Sequence, residues 1–107
     1  KIEKVLIAST QFVYGNGLWT NKNGDKFFPE DRSYSSKMLW DFYNNEEKLI
    51  YNSCKENQDV NPPNHYALSK YFQEKLALNL GKLNEVDVRV LRFSIIHGKR
   101  QSIKKRY

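Results

Sequence analysis

Apolar residues gather into three separated stretches along this chain. Val5-Leu6-Ile7-Ala8 is a short run of mostly branched residues between Lys4 and Ser9-Thr10, the pattern of a strand buried on both faces of a parallel sheet. Tyr14-Gly15-Asn16-Gly17 follows with turn chemistry. Near the other end, Val86, Val88 and Val90 alternate within 86–93, Ile95-Ile96 extend the apolar stretch and Gly98 closes it, which predicts a second strand. Between the two, the prolines of Asn61-Pro62-Pro63-Asn64 stop one element and Asn64 caps the next. A helix is expected from there to Leu80, with Gly81 as its C-cap. Leu68, Phe72, Leu76 and Leu80 form a stripe on it, read as core or subunit interface. Strand, long connection, helix, strand is a βαβ unit, for which a parallel sheet and a right-handed crossover are expected.

The stretch 18–61 is less patterned. Gly24-Asp25 marks a turn, Pro29 a break, and Lys37 to Cys54 reads as a helix burying Met38, Leu39, Phe42, Leu49 and Ile50, with Ser35 or Ser36 as cap. Asn44 and Asn45 weaken its middle, so it divides naturally into two pieces. Trp19 and Trp40 are read as filling a small satellite core rather than stacking on a base or sugar.

Composition narrows the class. Leu, Ile, Val and Phe make up 28 of 107 residues, above the roughly 20% below which disorder is the default. One domain with a small core is expected. No apolar run approaches the ~18 residues of a membrane span and no secretory signal pattern is present at the start, so neither membrane spanning nor secretion is expected. Cys54 stands alone, which excludes an internal disulfide and fits a reducing cytoplasm. Two distant histidines make no protein metal site. The net charge of +6 comes mostly from five cations in 99–107, leaving 1–98 at +1. A solvated end is the simpler reading of that tail, and no nucleic-acid partner is expected.

Tyr66 and Lys70 stand four apart at the start of the predicted helix, so both project from one face. Taken alone, the pair also fits a tyrosine packed on a lysine stem. A phenol titrates near ~10, too high for a base at neutrality, but an ammonium within ~4 to 6 Å favours the phenolate, which makes such a tyrosine a candidate general acid/base. The setting strengthens this reading: Ser9 and Thr10 put hydroxyls at the carboxyl end of the first strand, where open α/β sheets bind ligands.

Three motifs in order, Ser9-Thr10 with Val13-Tyr14-Gly15, Tyr66-Ala67-Leu68-Ser69-Lys70 with Glu74, and Leu91-Arg92-Phe93-Ser94-Ile95-Ile96-His97-Gly98, resemble successive signatures of the extended short-chain dehydrogenase/reductases. These are the NAD-dependent epimerases and dehydratases of nucleotide sugars. The resemblance implies an α/β fold, part of a Rossmann-like doubly wound parallel sheet, with NAD or NADP as cofactor and a nucleotide-sugar substrate. It assigns Tyr66 as acid/base, Lys70 to the Tyr66 phenol and the nicotinamide ribose, and Thr10 to the reacting sugar oxygen. Ser9, Tyr66, Lys70, Phe93, Ile96 and His97 fall on the cofactor side, and Thr10, Gln11 and Arg100 on the substrate side. It further implies a homodimer through the Tyr66 helix and a structural ion pair for Arg92.

The departures are informative. Gln11 and Phe12 stand where dehydratases carry an acidic pair, which disfavours dehydration. His97 stands where tyrosine is common and Lys99 where proline is common. The interval from Tyr14 to Tyr66 is about thirty residues longer than in compact members, so an insertion at about 18–61 beside the sugar site is expected. No Gly-rich dinucleotide turn is present, since the glycines are 15, 17, 24, 81 and 98. The chain thus reads as the central to C-terminal part of one NAD(P)-binding domain, without the Gly-rich amino-terminal half or the substrate lobe. Two other classes remain open from sequence: a non-catalytic remnant that keeps the helix as a dimerisation surface, and a basic module binding nucleic acid or anions through the tail, with affinity that falls steeply with salt.

Overall fold

The computed structural model describes residues 1–29 and 41–101. Strand β1 (Lys4–Thr10) runs into a 3-10 turn (Gln11–Tyr14), and strand β7 (Asp87–Phe93) pairs with β1 in parallel, Lys4 opposite Asp87 through Thr10 opposite Phe93. Helix α1 (His65–Asn84) packs on one face of this pair and runs antiparallel to it: Phe12 meets Tyr66 at one end, and Val86 and Val88 meet Gly81 at the other. The odd-numbered side chains of β1 and the even-numbered ones of β7 point to the helix, as a period of two requires. A parallel pair with one crossover helix is the βαβ arrangement expected from the sequence.

Asn64 caps α1 as expected, its side-chain oxygen accepting from Ala67 N at 2.9 Å. The other end differs from expectation. The helix passes Leu80 and ends at Asn84, with Glu85 in the left-handed conformation (φ 53°) as C-cap. Gly81 is therefore an interior, buried residue, and its role is close approach: a Cβ there would stand 2.5 Å from Val88 Cγ2. A lone glycine near a helix end resembles a stop signal in sequence, and packing decides otherwise. On the face away from α1, Leu6, Ala8, Leu91 and Phe93 are exposed among the described residues, so these residues cover one face of the pair and leave the other open.

Where it is described, the stretch 18–61 is built from short strands. β2 (Trp19–Thr20) lies between β3 (Lys26–Phe27) and β6 (Ile50–Tyr51), both antiparallel to it, and β4 (Tyr43–Asn44) pairs with β5 (Glu47–Lys48). The helix expected over Lys37 to Cys54 is thus overturned for 41–54. Asn45 adopts a positive φ (54°) at the turn between β4 and β5, conformational behaviour that makes asparagine a hairpin residue. Phe42 and Leu49 are buried as foreseen, but Ile50 is exposed. Met38, Leu39 and Trp40, and the caps at Ser35 or Ser36, lie outside the described residues. Trp19 forms the satellite core with Phe42, Leu49 and Phe27, its ring 5.0 Å from that of Phe42.

The stretch 18–61 returns to the 3-10 turn through Asn61, whose N–H donates to Val13 O at 2.9 Å. That approach needs Gly15, which has φ +59° and would place a Cβ 2.6 Å from the Asn61 carbonyl oxygen. Residues 102–107, most of the basic tail, lie outside the described residues. Among those described, no helix is long and apolar enough to cross a membrane.

Candidate active site

Three elements converge at the carboxyl end of the β1/β7 pair. Thr10 closes β1 and caps the 3-10 turn, its side-chain oxygen accepting from Phe12 N at 3.2 Å. One residue type thus ends a strand, starts a turn and points a hydroxyl at the sheet end. Thr10 and Ser9 are both buried. Phe12, the next ring along, meets Tyr66 edge to face at 6.3 Å between centroids, which brings the first turn of α1 against the residue after Gln11.

Lys70 reaches back from α1 to β1, its Nζ donating to Ala8 O at 3.2 Å and lying 3.5 Å from Gln73 Oε1. Tyr66 itself is 53% exposed, so its phenol is open to a ligand. Phe93, opposite Thr10 in the register, is also open, at 41%. The structure therefore brings Thr10, Tyr66, Lys70 and Phe93 to one sheet end. Ile96, His97 and Arg100 follow β7 in an exposed segment that ends in a turn, with Arg100 at φ 72°. Gln11 is half-buried in the 3-10 turn.

Below this group lies a buried polar cluster. Glu74, only 2% exposed, accepts a short hydrogen bond from the Ser9 hydroxyl and a fork from Arg92: Nη2 donates to Oε2 at 2.7 Å, and Nε lies 3.1 and 3.2 Å from the two oxygens. Arg92 Nη1 donates to the Tyr14 hydroxyl at 2.6 Å, and the guanidinium sits 4.8 Å from the Tyr14 ring centroid. Burial pushes the Glu74 carboxyl up, but hydrogen bonds from Arg92 and Ser9, with the charges of Arg92 and Lys75, outweigh it and hold it below its ordinary value. The same bond to Glu74 raises Arg92. The ion pair expected for Arg92 is thus present.

Spacing along the helix did not reveal the depth of this cluster. The available signal was an acid, Glu74, one turn beyond Lys70 on the helix face that carries Tyr66, together with an arginine among apolar strand residues. Ser9, placed on the cofactor side from sequence, turns its hydroxyl to Glu74.

The model of an NAD-binding family described as male sterility protein matches residues 1–105. The chain belongs to this branch of the extended short-chain dehydrogenase/reductases. NAD(P) is the cofactor that comes with membership. A dTDP-L-rhamnose 4-epimerase from Burkholderia thailandensis is 24% identical to this short-chain dehydrogenase/reductase over 108 aligned positions, which take in 99% of the chain and 29% of that protein. The chain therefore spans under a third of the length of that curated relative. No solved structure matches.

The donor set of the sheet end suits one half of NAD(P). A hydroxyl at Thr10, an open phenol at Tyr66 and an ammonium at Lys70 are the groups that a ribose and a nicotinamide can use. The pyrophosphate is a different matter, because the described glycines form no Gly-rich turn. Among the described residues, no three His, Cys, Asp or Glu side chains cluster as a metal site.

Proposed function

We propose that this chain forms the catalytic middle of an NAD(P)-dependent nucleotide-sugar epimerase, or of a closely related reductase, within a doubly wound Rossmann-like sheet. It would make up the central to C-terminal part of that cofactor domain, with 18–61 inserted beside the sugar site. The observation that carries the reading is the convergence of Thr10, Tyr66 and Lys70 on the carboxyl end of a parallel pair, through the Lys70 bond to Ala8 and the Phe12–Tyr66 ring contact.

In this reading Tyr66 removes the proton from a sugar hydroxyl and returns it to the same oxygen later in the cycle. Thr10 hydrogen-bonds that oxygen and fixes its position. Lys70, one helical turn away, sets a positive charge beside the phenol and holds the nicotinamide ribose. NAD(P), when bound, would take up the hydride as that proton leaves and return it later in the cycle. Phe93, Ile96 and His97 complete the cofactor side, and Gln11 and Arg100 the substrate side, while the Ser9 hydroxyl is committed to Glu74. Neither Gln11 nor Phe12 can act as an acid or base, which favours epimerisation over dehydration. The nucleotide-linked sugar named for the Burkholderia enzyme, dTDP-L-rhamnose, is the first substrate to try.

The test is Tyr66→Phe in the full-length enzyme with dTDP-L-rhamnose. Turnover is expected to fall at least ~100-fold, the lower end of what a positioned acid/base contributes, with the melting temperature unchanged because only one exposed oxygen is lost. Turnover equal to the parent enzyme overturns the assignment.

A further inference from the structure

Tyr66, Lys70 and Glu74 lie four residues apart in succession, and therefore on one face of α1. Their roles in the packing differ. Tyr66 is exposed, Lys70 half-buried and Glu74 almost wholly buried, so the stripe descends from the sheet end into the interior. At its lower end Glu74 is gripped from three directions: Ser9 on β1, Arg92 on β7 and, through Arg92, Tyr14 at the end of the 3-10 turn. Each of these partners adjoins a residue of the proposed site. Ser9 precedes Thr10, Arg92 precedes Phe93, and Tyr14 closes the turn that Thr10 caps.

We propose that the Ser9–Glu74–Arg92–Tyr14 network is the positioning device that fixes the rotation of α1 against the sheet, and so holds Tyr66 and Lys70 in line with Thr10; this rests on the proposed function above. The geometry gives the reason. A helix packed on two strands through Ala67, Ala77 and Gly81 presents only small side chains to the strand valines, which restrict its roll weakly. Long side chains four residues up the stripe swing widely when the helix rolls. A guanidinium that forks onto a carboxylate tolerates little change of angle. Arg92 makes that fork while its remaining Nη holds the Tyr14 hydroxyl, so one planar group sets the helix, both strands and the turn together. Glu74 and Arg92 touch neither cofactor nor sugar in this scheme. They act through Lys70 and Thr10.

The test uses two probes, NADH and ADP, on the full-length protein. ADP lacks the nicotinamide ribose, so a roll of α1 weakens NADH and spares ADP, whereas general loosening of the fold weakens both. Arg92→Lys keeps the charge and removes the fork; Tyr14→Phe keeps the ring and removes only the hydroxyl. NADH affinity is expected to fall about tenfold in Arg92→Lys and less in Tyr14→Phe, with ADP affinity within about twofold of the parent, since small misplacements at a distance carry penalties of this order or more. Lys70→Met is the reference and should show the same split. Should Lys70→Met leave NADH affinity unchanged, the site reading itself fails and takes this proposal with it. If Lys70→Met weakens NADH but the two network variants do not, or if ADP affinity falls in parallel with NADH, the positioning role is overturned and the proposed site stands. Where Arg92→Lys does not fold, Tyr14→Phe decides alone.

Discussion

At the scale of single residues, the Glu74 carboxylate is the group whose loss is felt most. It is 2% exposed and holds one side of a forked ion pair, so removing it leaves the part-buried Arg92 charge with no carboxylate and only the Tyr14 hydroxyl as acceptor. Glu74→Ala is expected to destabilise the protein by about 3 to 5 kcal/mol, the penalty for breaking a buried pair on one side, measured by urea unfolding. Its pH dependence follows from the lowered pKa. The stabilisation is fully present above the ordinary value of 4.5 and is lost as pH falls through the lower native value. Stability of the parent protein should therefore decline on acidification below about 4.5. In Glu74→Gln, which cannot ionise, that part of the decline is absent, and unfolding midpoints at pH 3, 4 and 6 read the difference directly.

At the scale of elements, the end of α1 gives a sharper prediction. Gly81→Ala would press a methyl onto Val88 Cγ2 and the Val86 carbonyl, at an overpacking cost of about 1 to 3 kcal/mol. Helix propensity alone argues the reverse, since alanine is the better helix former by about 1 kcal/mol. Thermal unfolding of the variant shows which effect wins, and destabilisation is expected. Asn64→Ala should cost about 1 kcal/mol by removing the cap.

Legibility in the sequence followed element length. A twenty-residue helix with a capping asparagine and two seven-residue strands carry enough positions to show their period. The β4 and β5 strands have two residues each, too few for any alternation to register, so the sequence presents the turn at Asn45 as a weak spot in a helix. For the candidate site, the Tyr66 and Lys70 spacing was visible because both lie on one helix. The Ser9, Tyr14, Glu74 and Arg92 cluster was not, because four segments meet there only after folding.

At the scale of the whole molecule, two apolar surfaces are uncovered among the described residues. Leu6, Leu91 and Phe93 form one, on the sheet face away from α1. Leu68, Phe72, Leu76 and Leu83 form the other, on the side of α1 opposite its buried Ala67, Glu74 and Gly81. The radius of gyration is 17.6 Å, against about 13 Å for a compact domain of this length. Surfaces of this kind mark contact sites. The outer α1 face is proposed as the homodimer surface, and Phe72→Glu with Leu76→Glu should convert the dimer to monomer in sedimentation without loss of helix signal. A dimer that survives both charges overturns that assignment.

The parallel register carries a kinetic consequence. Every residue of β1 pairs with one 83 positions further along the chain, and closing so long a loop costs entropy before any ladder bond returns it. Helix α1 and the short hairpins are local and fast by comparison. The sheet end where Phe12 meets Tyr66 and Lys70 reaches Ala8 is thus expected to be the last part of the chain to assemble. A protein caught before that step would show full helix signal without the proposed nicotinamide site.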